Sequence, residues 1–545
     1  MAQPVADVRR VRVHVTGVVQ GVGFRPYVHA LAGRHGLAGT VGNDERGVVI
    51  EVEGDPSRVE AFLLDLPRHA PALAVIERVT ADPVPAVHQH GFTIRTSAAA
   101  GSRTALISPD VATCAACLAD VADPGNRRHG YVFTNCTDCG PRYTIVRDVP
   151  YDRSATTMAA FVMCTDCRRE YEDVHDRRFH AQPTCCPRCG PRLRLVARDG
   201  SALPGDPLSA AAELLRSGAV VAVKGLGGYH LAADARSEEA VHALRARKHR
   251  EDRPFAVMVA DVAAARALAD VSDSEEALLT SAARPIVLVR RRGPGVVAAS
   301  VAPGQQSLGL LLPYTALHHL LLAAVGGPLV LTSGNVSDEP IAYDDTDAAA
   351  RLAPIADAFL TSDRPIQTRV DDSVLRVVRG RPLPLRRSRG YVPLPVPLAE
   401  DCPRPILACG PELKNTLCLA RGRQAFVSHH IGDLENFETF RSYLDAIAHL
   451  ERLLDITPAV VAHDLHPEYL STKHALTLAG VDLVAVQHHH AHIASCLADN
   501  GAGGPVIGVA FDGLGMGADG TLWGGEFLIA DLAGYERAAH LAPVP

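Results

Sequence analysis

Lysine is almost missing. Of 54 basic residues only four are lysines: Lys224, Lys248, Lys414 and Lys473. Each is worth locating, because lysine and arginine are not interchangeable at nucleotide and catalytic sites. A charge excess of one sign is missing too. The formal net charge is -7, which excludes a chain that coats nucleic acid non-specifically. Long apolar runs are absent. The longest, around residues 320–331, holds two glycines and a proline, and a membrane span takes about 20 apolar residues. The N-terminal MAQPVADVRR lacks the apolar core of a secretory signal. The expectation is a cytoplasmic protein with neither membrane nor nucleic acid among its partners. Thirteen cysteines in 545 residues are too dilute for a disulfide scaffold. What is present is globular: 47% hydrophobic and 21% charged residues, in a length that suits roughly three to five domains.

Patterning divides the chain into four segments. Residues 8–96 read as a small α+β unit. Val11, Val13 and Val15 alternate as in a half-buried strand. A Gly-rich turn leads to a helix over 25–35, GVVIEVEG (47–54) reads as a strand, and Pro56 opens a second helix reaching Leu66. Strand-like pieces at 73–79 and 91–95 close the unit. The order β-α-β-β-α-β is the ferredoxin-like arrangement. A small, polar linker (97–107) precedes a cysteine-rich segment, 108–200. Residues 205–390 read as an α/β domain, with strands at 219–225, 255–260, 284–290 and 328–335 and a helix at 237–248. The Pro-rich RRSRGYVPLPVPL (386–398) reads as a linker. A last unit, 404–545, ends in strand, Gly-rich turn, strand.

The sharpest signal is an internal repeat. Cys114, Cys117, Cys136 and Cys139 have the spacing C-x2-C-x18-C-x2-C, and Cys164, Cys167, Cys186 and Cys189 repeat it fifty residues later. Asp123/Asp173, Arg127-Arg128/Arg177-Arg178 and two copies of CGPR fall in the same register. Paired Cys-x2-Cys knuckles point to tetrahedral zinc, and four thiolates leave no open coordination position, so two structural zinc ions are expected. The spacing leaves open whether each repeat holds its own ion or the pairs nest, first with fourth and second with third. Cys185 falls outside the register. Disulfides are the alternative, disfavoured in a cytoplasmic chain. Between 101 and 200 there are 14 Arg against 12 acidic residues, so no basic stripe marks a nucleic-acid finger. A spacer or protein-docking unit fits better.

Three further motifs carry chemistry. VVQGVGFRPYV (18–28) sets Gly21 and Gly23 before a helix that opens near Arg25. Backbone N–H groups and the helix dipole there suit a phosphate, and Arg25 suits bidentate bonds to it. QHHHAHIAS (487–495) puts His488 and His492 at i, i+4 on one helix face, a start for a metal site. Asp512 in the Gly-rich FDGLGMGADG is the candidate third ligand.

Three of the segments also resemble known families. TGVVQGVGFRPYV, GLAGTVGN and GVVIEVEG resemble acylphosphatases over about residues 8–96. This implies that Gln20, Gly21, Val22, Gly23 and Phe24 form the phosphate loop, that Arg25 binds the acyl phosphate, and that Asn43 orients the attacking water. KGLGGYHLAADA, LRARKHREDRPFAVMV, LGLLLPYTALHHLL and TSGNVSDEPI resemble YrdC-like domains, which join a carboxylated amine to ATP. The resemblance counts Lys224 among the nucleotide-binding residues, turns Lys248, Arg250 and Arg253 toward the phosphates of ATP with Mg, and brings Ser333 and Asn335 to the nucleotide. The last unit resembles one part of an ASKHA-type (actin/Hsp70-like) carbamoyltransferase domain, with Lys414 near a nucleotide and a further divalent metal, iron or zinc, at His488, His492 and Asp512.

In this order the four parts are similar to HypF-type carbamoyltransferases of NiFe-hydrogenase maturation. That resemblance implies three steps: cleavage of carbamoyl phosphate, formation of carbamoyl adenylate, and transfer of the carbamoyl group to the C-terminal cysteine of HypE, for the cyanide ligands. Covering carbamate within one chain would prevent its loss to water. Such proteins continue past the position matching Pro545, so a truncated last domain, impaired in transfer, is expected. Synthesis of the tRNA threonylcarbamoyladenosine type is one alternative, but it gives the acylphosphatase and zinc units no place. A zinc-dependent scaffold with a decayed catalytic core is another. Intact Arg25, Asn43, Lys248, TSGN and the H-x3-H motif argue against decay.

Overall fold

The computed structural model describes residues 8–44, 46–71, 73–95, 106–293, 295–336 and 339–542. The linker expected at 97–107 lies outside the described residues as far as 105. The chain divides into two compact units, Met1–Ser337 with Ile341–Tyr391, and Asp338–Pro340 with Val392–Pro545.

The first unit begins with β1 (Arg9–Val18), α1 (Phe24–Arg34), β2 (Ala38–Asn43), β3 (Val48–Gly54), α2 (Pro56–Arg68), β4 (Val75–Pro83) and β5 (Phe92–Ile94). The sheet order is β4-β1-β3-β2-β5. Val11, Val13 and Val15 are fully buried and lie opposite Val52, Ile50 and Val48 of β3. Asp55 starts α2 by accepting the N–H groups of Ser57 and Arg58, with Pro56 at the first helical position. β2, AGTVGN, has two glycines and little strand propensity of its own. Pairing with β3 on one side and β5 on the other holds it extended.

In the duplicated module, α3 (Ala115–Ala122) and α4 (Thr165–Glu172) start directly after Cys114 and Cys164. The α/β part is an eleven-stranded mixed sheet. Its central strands Ala256–Met258, Leu329–Ser333, Tyr229–Asp234 and Val221–Lys224 lie side by side. Helix Glu238–Arg247 is capped by Ser237 and buries Val241 and Leu244 in a core with Leu231 and Phe255.

Two boundaries differ from the sequence pattern. Strand Leu193–Ala197, within the segment assigned to the zinc module, pairs antiparallel with Ala358–Ser362, so the sheet begins inside that segment. The Pro-rich exit at 386–398 is not a loose linker at its start. Arg389 is buried, its Nε donates to Asp372 at 2.6 Å, its Nη1 to the Ala283 carbonyl at 2.7 Å, and its guanidinium lies 3.5 Å from the Tyr314 ring centroid. Removing one partner of such a buried pair costs roughly 3–5 kcal/mol. Strand Val396–Ala408 also starts ahead of the expected 404.

The second unit has a four-stranded sheet, ordered Cys418–Val427, Val396–Ala408, Val460–Asp464 and Asp482–Val486, and a three-stranded sheet of Val506–Met516, Leu522–Ala530 and Tyr535–His540. Helix His488–Asp499 packs on the latter through Ile493 and Leu497, against Trp523 and Leu528. Among the described residues no helix is long and apolar enough to cross a membrane.

Candidate functional site

The loop expected to take phosphate is built by two left-handed glycines. Gly21 and Gly23 have φ of 72° and 74°, which turn the chain sharply into α1, with Gly23 as its N-cap. The N–H groups of Gly21, Val22, Gly23 and Phe24 meet no protein acceptor among the described residues, the pattern of an anion cradle. Val22 and Phe24 have buried side chains, so only their backbone serves the loop. Gln20 is a bracket. Its Nε2 donates to the carbonyls of Asp44 (2.7 Å) and Gly47 (2.9 Å), and its Oε1 accepts the Tyr151 N–H. Arg25 opens α1 and is nearly buried, and its Nη2 lies 3.4 Å from Asp152. Asn43, at the end of β2, is 3% exposed, and neither Oδ1 nor Nδ2 has a partner. A buried carboxamide with no partner calls for a ligand, which fits the orientation of a water.

The cysteine module walls this crevice. Thr137, Arg142, Tyr151, His180 and Gln182 line it together with Arg25. Arg142 is 1% exposed and ties the first knuckle to the loop: Nε donates to the Gly21 carbonyl at 2.6 Å and Nη1 to the Cys139 carbonyl at 3.0 Å. The recurring CGPR marks this arginine as part of the repeat but gives no sign of its reach across 121 residues.

The thiolates settle the pairing that spacing left open. Cys114–Cys136, Cys136–Cys139 and Cys139–Cys117 are 3.7, 3.8 and 3.6 Å apart between sulfurs. The second repeat gives 3.7, 3.8 and 3.6 Å for Cys164–Cys186, Cys186–Cys189 and Cys189–Cys167. A tetrahedron with Zn–S bonds of about 2.3 Å has edges of about 3.8 Å. Each repeat therefore forms its own site, and all thirteen cysteines are free of disulfides. Cys185 stands outside both quartets, beside the Tyr131 hydroxyl.

The repeats grip each other reciprocally. Arg177 Nη1 donates to Cys117 Sγ at 2.9 Å, and Arg177 and Arg178 both bind Asp120. In the mirrored arrangement Arg127 Nη2 donates to Cys167 Sγ at 3.3 Å, and Arg128 binds Glu170 at 2.5 Å. Burial works against ionisation of Glu170, but the bonds from Arg128 and Arg127 outweigh it and hold its carboxyl at about 2.

In the α/β part, Arg250, Arg253, Ser333 and His230 line a cleft of about 310 Å³. Lys248 is brought to Ser333 and Asn335 but does not stand free. It is 1% exposed, and its Nζ donates to the Ser333 carbonyl (2.8 Å), the Asn335 carbonyl (2.7 Å) and Asn335 Oδ1 (2.6 Å). It anchors the TSGN turn, and Ser333 Oγ donates to the same Oδ1. Arg245, which sequence reasoning passed over, holds the loop carrying Arg250 and Arg253 by donating to both their carbonyls. Lys224 does not join the cleft. Its Nζ bonds the Ser362 carbonyl at 2.9 Å and pairs with Asp345 at 2.5 Å.

In the second unit, His488, His492 and Asp512 converge. His488 Nε2 and His492 Nε2 lie 2.7 and 3.2 Å from Asp512 Oδ2, and the three donor atoms lie within 4.8 Å of one another. Two imidazoles and a carboxylate suit a divalent transition metal, whose ligand atoms at about 2.1 Å sit roughly 3 Å apart. Asp512 is not in the Gly-rich turn as expected. It lies in strand Val506–Met516, where the register slips between Phe511 and Gly515. Asp464, missed in the sequence, accepts from His488 Nδ1 at 2.7 Å. Its hydrogen bond, with Asp512 on the other side, raises His488 above the usual histidine range despite burial. Lys414 is exposed. Its backbone, with φ 49°, donates to Asp433 at 2.6 Å.

Family models match along the whole chain: acylphosphatase over 11–94, a HypF finger over 113–146 and 163–196, the Sua5/YciO/YrdC model described as telomere recombination over 213–388, a HypF Kae1-like domain over 401–499, and the second subdomain of a Kae1-like carbamoyltransferase domain over 508–545. The chain is 49% identical over 547 residues to carbamoyltransferase HypF of Rhodobacter capsulatus, covering 98% of itself and 72% of that protein. It is 46% identical over 538 residues to carbamoyltransferase HypF of Synechocystis sp., covering 98% of itself and 70% of the relative. Full-length HypF solved in a phosphate- and nucleotide-bound form superposes with a TM-score of 0.96 at 44% identity, over 99% of this chain and 71% of that one.

Proposed function

The chain belongs to the HypF carbamoyltransferase family, and from that membership and the geometry above we propose which side chains carry each step. This ATP-dependent carbamoyl-transferring enzyme first hydrolyses carbamoyl phosphate. Arg25 and the N–H groups of residues 21–24 take the phosphoryl oxygens, Asn43 aligns water on phosphorus, and the P–O bond to the carbamoyl group breaks, releasing carbamate and phosphate. Carbamate oxygen then attacks the α-phosphorus of ATP with Mg, releasing pyrophosphate and leaving carbamoyl adenylate. Arg250, Arg253 and Ser333 face the nucleotide, and Lys248 with Asn335 holds the turn that presents Ser333. In the last unit the carbamoyl group passes to the C-terminal cysteine thiol of a HypE-like acceptor with loss of AMP, for the cyanide ligands of NiFe-hydrogenase. A divalent ion, iron or zinc, held by His488, His492 and Asp512 would supply Lewis-acid polarisation there, and Lys414 would lie toward its nucleotide. The structural ions in the two four-cysteine sites are zinc.

The observation that carries the reading is the orphaned Asn43 carboxamide in the domain whose Arg25 and unpartnered N–H groups form the anion loop. The test is pyrophosphate exchange into ATP. Exchange is expected with carbamoyl phosphate and not with threonine plus bicarbonate. The opposite preference would favour threonylcarbamoyl chemistry, and no exchange with either would leave only a scaffold. Lys248→Ala is expected to abolish exchange while phosphate release from carbamoyl phosphate continues, because only the turn at 333–335 loses its anchor.

The metal reading has its own check. Asp464→Asn is expected to weaken divalent-metal binding in the last unit about 10–100-fold, the usual effect of losing the carboxylate behind a metal-binding histidine. Titration of the chain with both four-cysteine sites filled reads this directly. Unchanged affinity would remove Asp464 from that role.

A further inference from the structure

The two copies of the cysteine module share a backbone, and at one position their residues differ without a structural need. Gly130 and His180 stand fifty residues apart, and both lie in the left-handed region with φ of 65° and 55°. Their N–H groups make matching bonds, to the carbonyls of Val121 and Tyr171. Glycine takes this conformation freely, as the first copy does; a side chain there is strained, and such strain concentrates where a site needs it. Here it sets an imidazole into the crevice of Arg25. The ring is fixed edge-on to Phe179 at 4.6 Å and beside Tyr171 at 4.9 Å. Nδ1 is buried with no partner, and neither ring nitrogen bonds a protein group among the described residues. Burial, then the neighbouring Arg25 charge, pushes the imidazole down to about 4. At neutral pH it is uncharged, with one N–H and one bare lone pair.

The loop and Arg25 answer the phosphoryl end of an acyl phosphate, which leaves the imidazole for the acyl end. Carbamoyl phosphate carries an NH2 there, and acetyl phosphate a methyl of similar size. We propose that His180 determines specificity: its unprotonated ring nitrogen accepts an N–H of the carbamoyl group, so that the zinc module selects carbamoyl phosphate over acyl phosphates without that donor. This rests on reading the first site as a carbamoyl-phosphate hydrolase.

The test compares kcat/KM for carbamoyl and acetyl phosphate in the full, zinc-loaded chain and in His180→Gly, which restores the residue of the first copy. Both zinc ions and the acetyl-phosphate rate are expected to persist, while the carbamoyl-phosphate rate falls about ten-fold or more. Equal loss on both substrates with zinc retained, or an unchanged ratio, would overturn the proposal. If His180→Gly loses zinc, His180→Ala decides on the same ratio, since alanine removes every side-chain acceptor at a modest cost in the left-handed region. A wild-type chain with no preference for carbamoyl phosphate overturns the underlying reading, whereas a wild-type preference that survives both variants overturns only the role of His180.

Discussion

Arg25→Ala is expected to lower phosphate release from carbamoyl phosphate by about a thousand-fold or more, the scale for removing an arginine that meets phosphoryl charge in the transition state. Arg25 lines the loop crevice at the start of α1, directly after the glycine turn. Its tie to the protein is slight, a 3.4 Å approach to an Asp152 that is 30% exposed. The fold therefore has little to lose: Asp152 can turn to water, and α1 keeps its left-handed Gly23 cap. Arg25→Lys keeps the charge but not the two-pronged fork, and is expected to recover only part of the rate. The decisive control supplies ammonium carbamate directly. In Arg25→Ala, pyrophosphate exchange driven by carbamoyl phosphate should vanish, while exchange driven by carbamate should persist, because the cleft of Arg253 and Ser333 is untouched. Near-normal phosphate release from the variant would end the acylphosphatase assignment.

What the sequence disclosed follows from the range of the interactions. The four-cysteine spacing was legible because each knuckle is local, four residues making half a site. The pairing of knuckles was not legible, since either arrangement satisfies the same spacing, and only the sulfur–sulfur edges of 3.6–3.8 Å decide it. Arg25 was marked by the glycine turn before its helix, Asn43 by resemblance alone, and His488 with His492 by helical spacing. The residues missed act across long stretches of chain. Arg142 reaches Gly21, Asp152 reaches Arg25, and Asp464 backs His488; no local pattern marks such partners. Lys224 shows the reverse error. Its rarity drew attention, yet rarity reflects composition, and its ammonium serves a buried bond to the Ser362 carbonyl and Asp345. The exit at 386–398 was misjudged because its prolines and glycine read as punctuation, while Arg389 among them is buried against Asp372.

Cys117→Ser is expected to empty both zinc sites, not one. If the sites were independent, metal analysis of the variant would return one ion per chain where the native protein holds two. The reciprocal arginines make independence untenable. Cys117 Sγ accepts from Arg177, which belongs to the second repeat, and Asp120 binds both Arg177 and Arg178. The first repeat in turn supplies Arg127 and Arg128 to Cys167 and Glu170. Loss of the first ion removes the roughly 10–16 kcal/mol with which structural zinc holds such a module folded. As that repeat opens, Arg178, 4% exposed, loses Asp120, while Glu170 and the Cys167 thiolate lose their cations. A zinc tetrathiolate carries a net charge of -2, so stripping its guanidinium donors weakens the second ion as well. Arg142 then releases the Gly21 carbonyl, and hydrolysis of carbamoyl phosphate should fall with the metal. Arg177→Ala offers the graded form of the experiment: both ions bound, but faster zinc loss to a chelator from the first site. A Cys117→Ser chain that keeps one tightly held zinc and its hydrolysis rate would show that the two repeats stand alone.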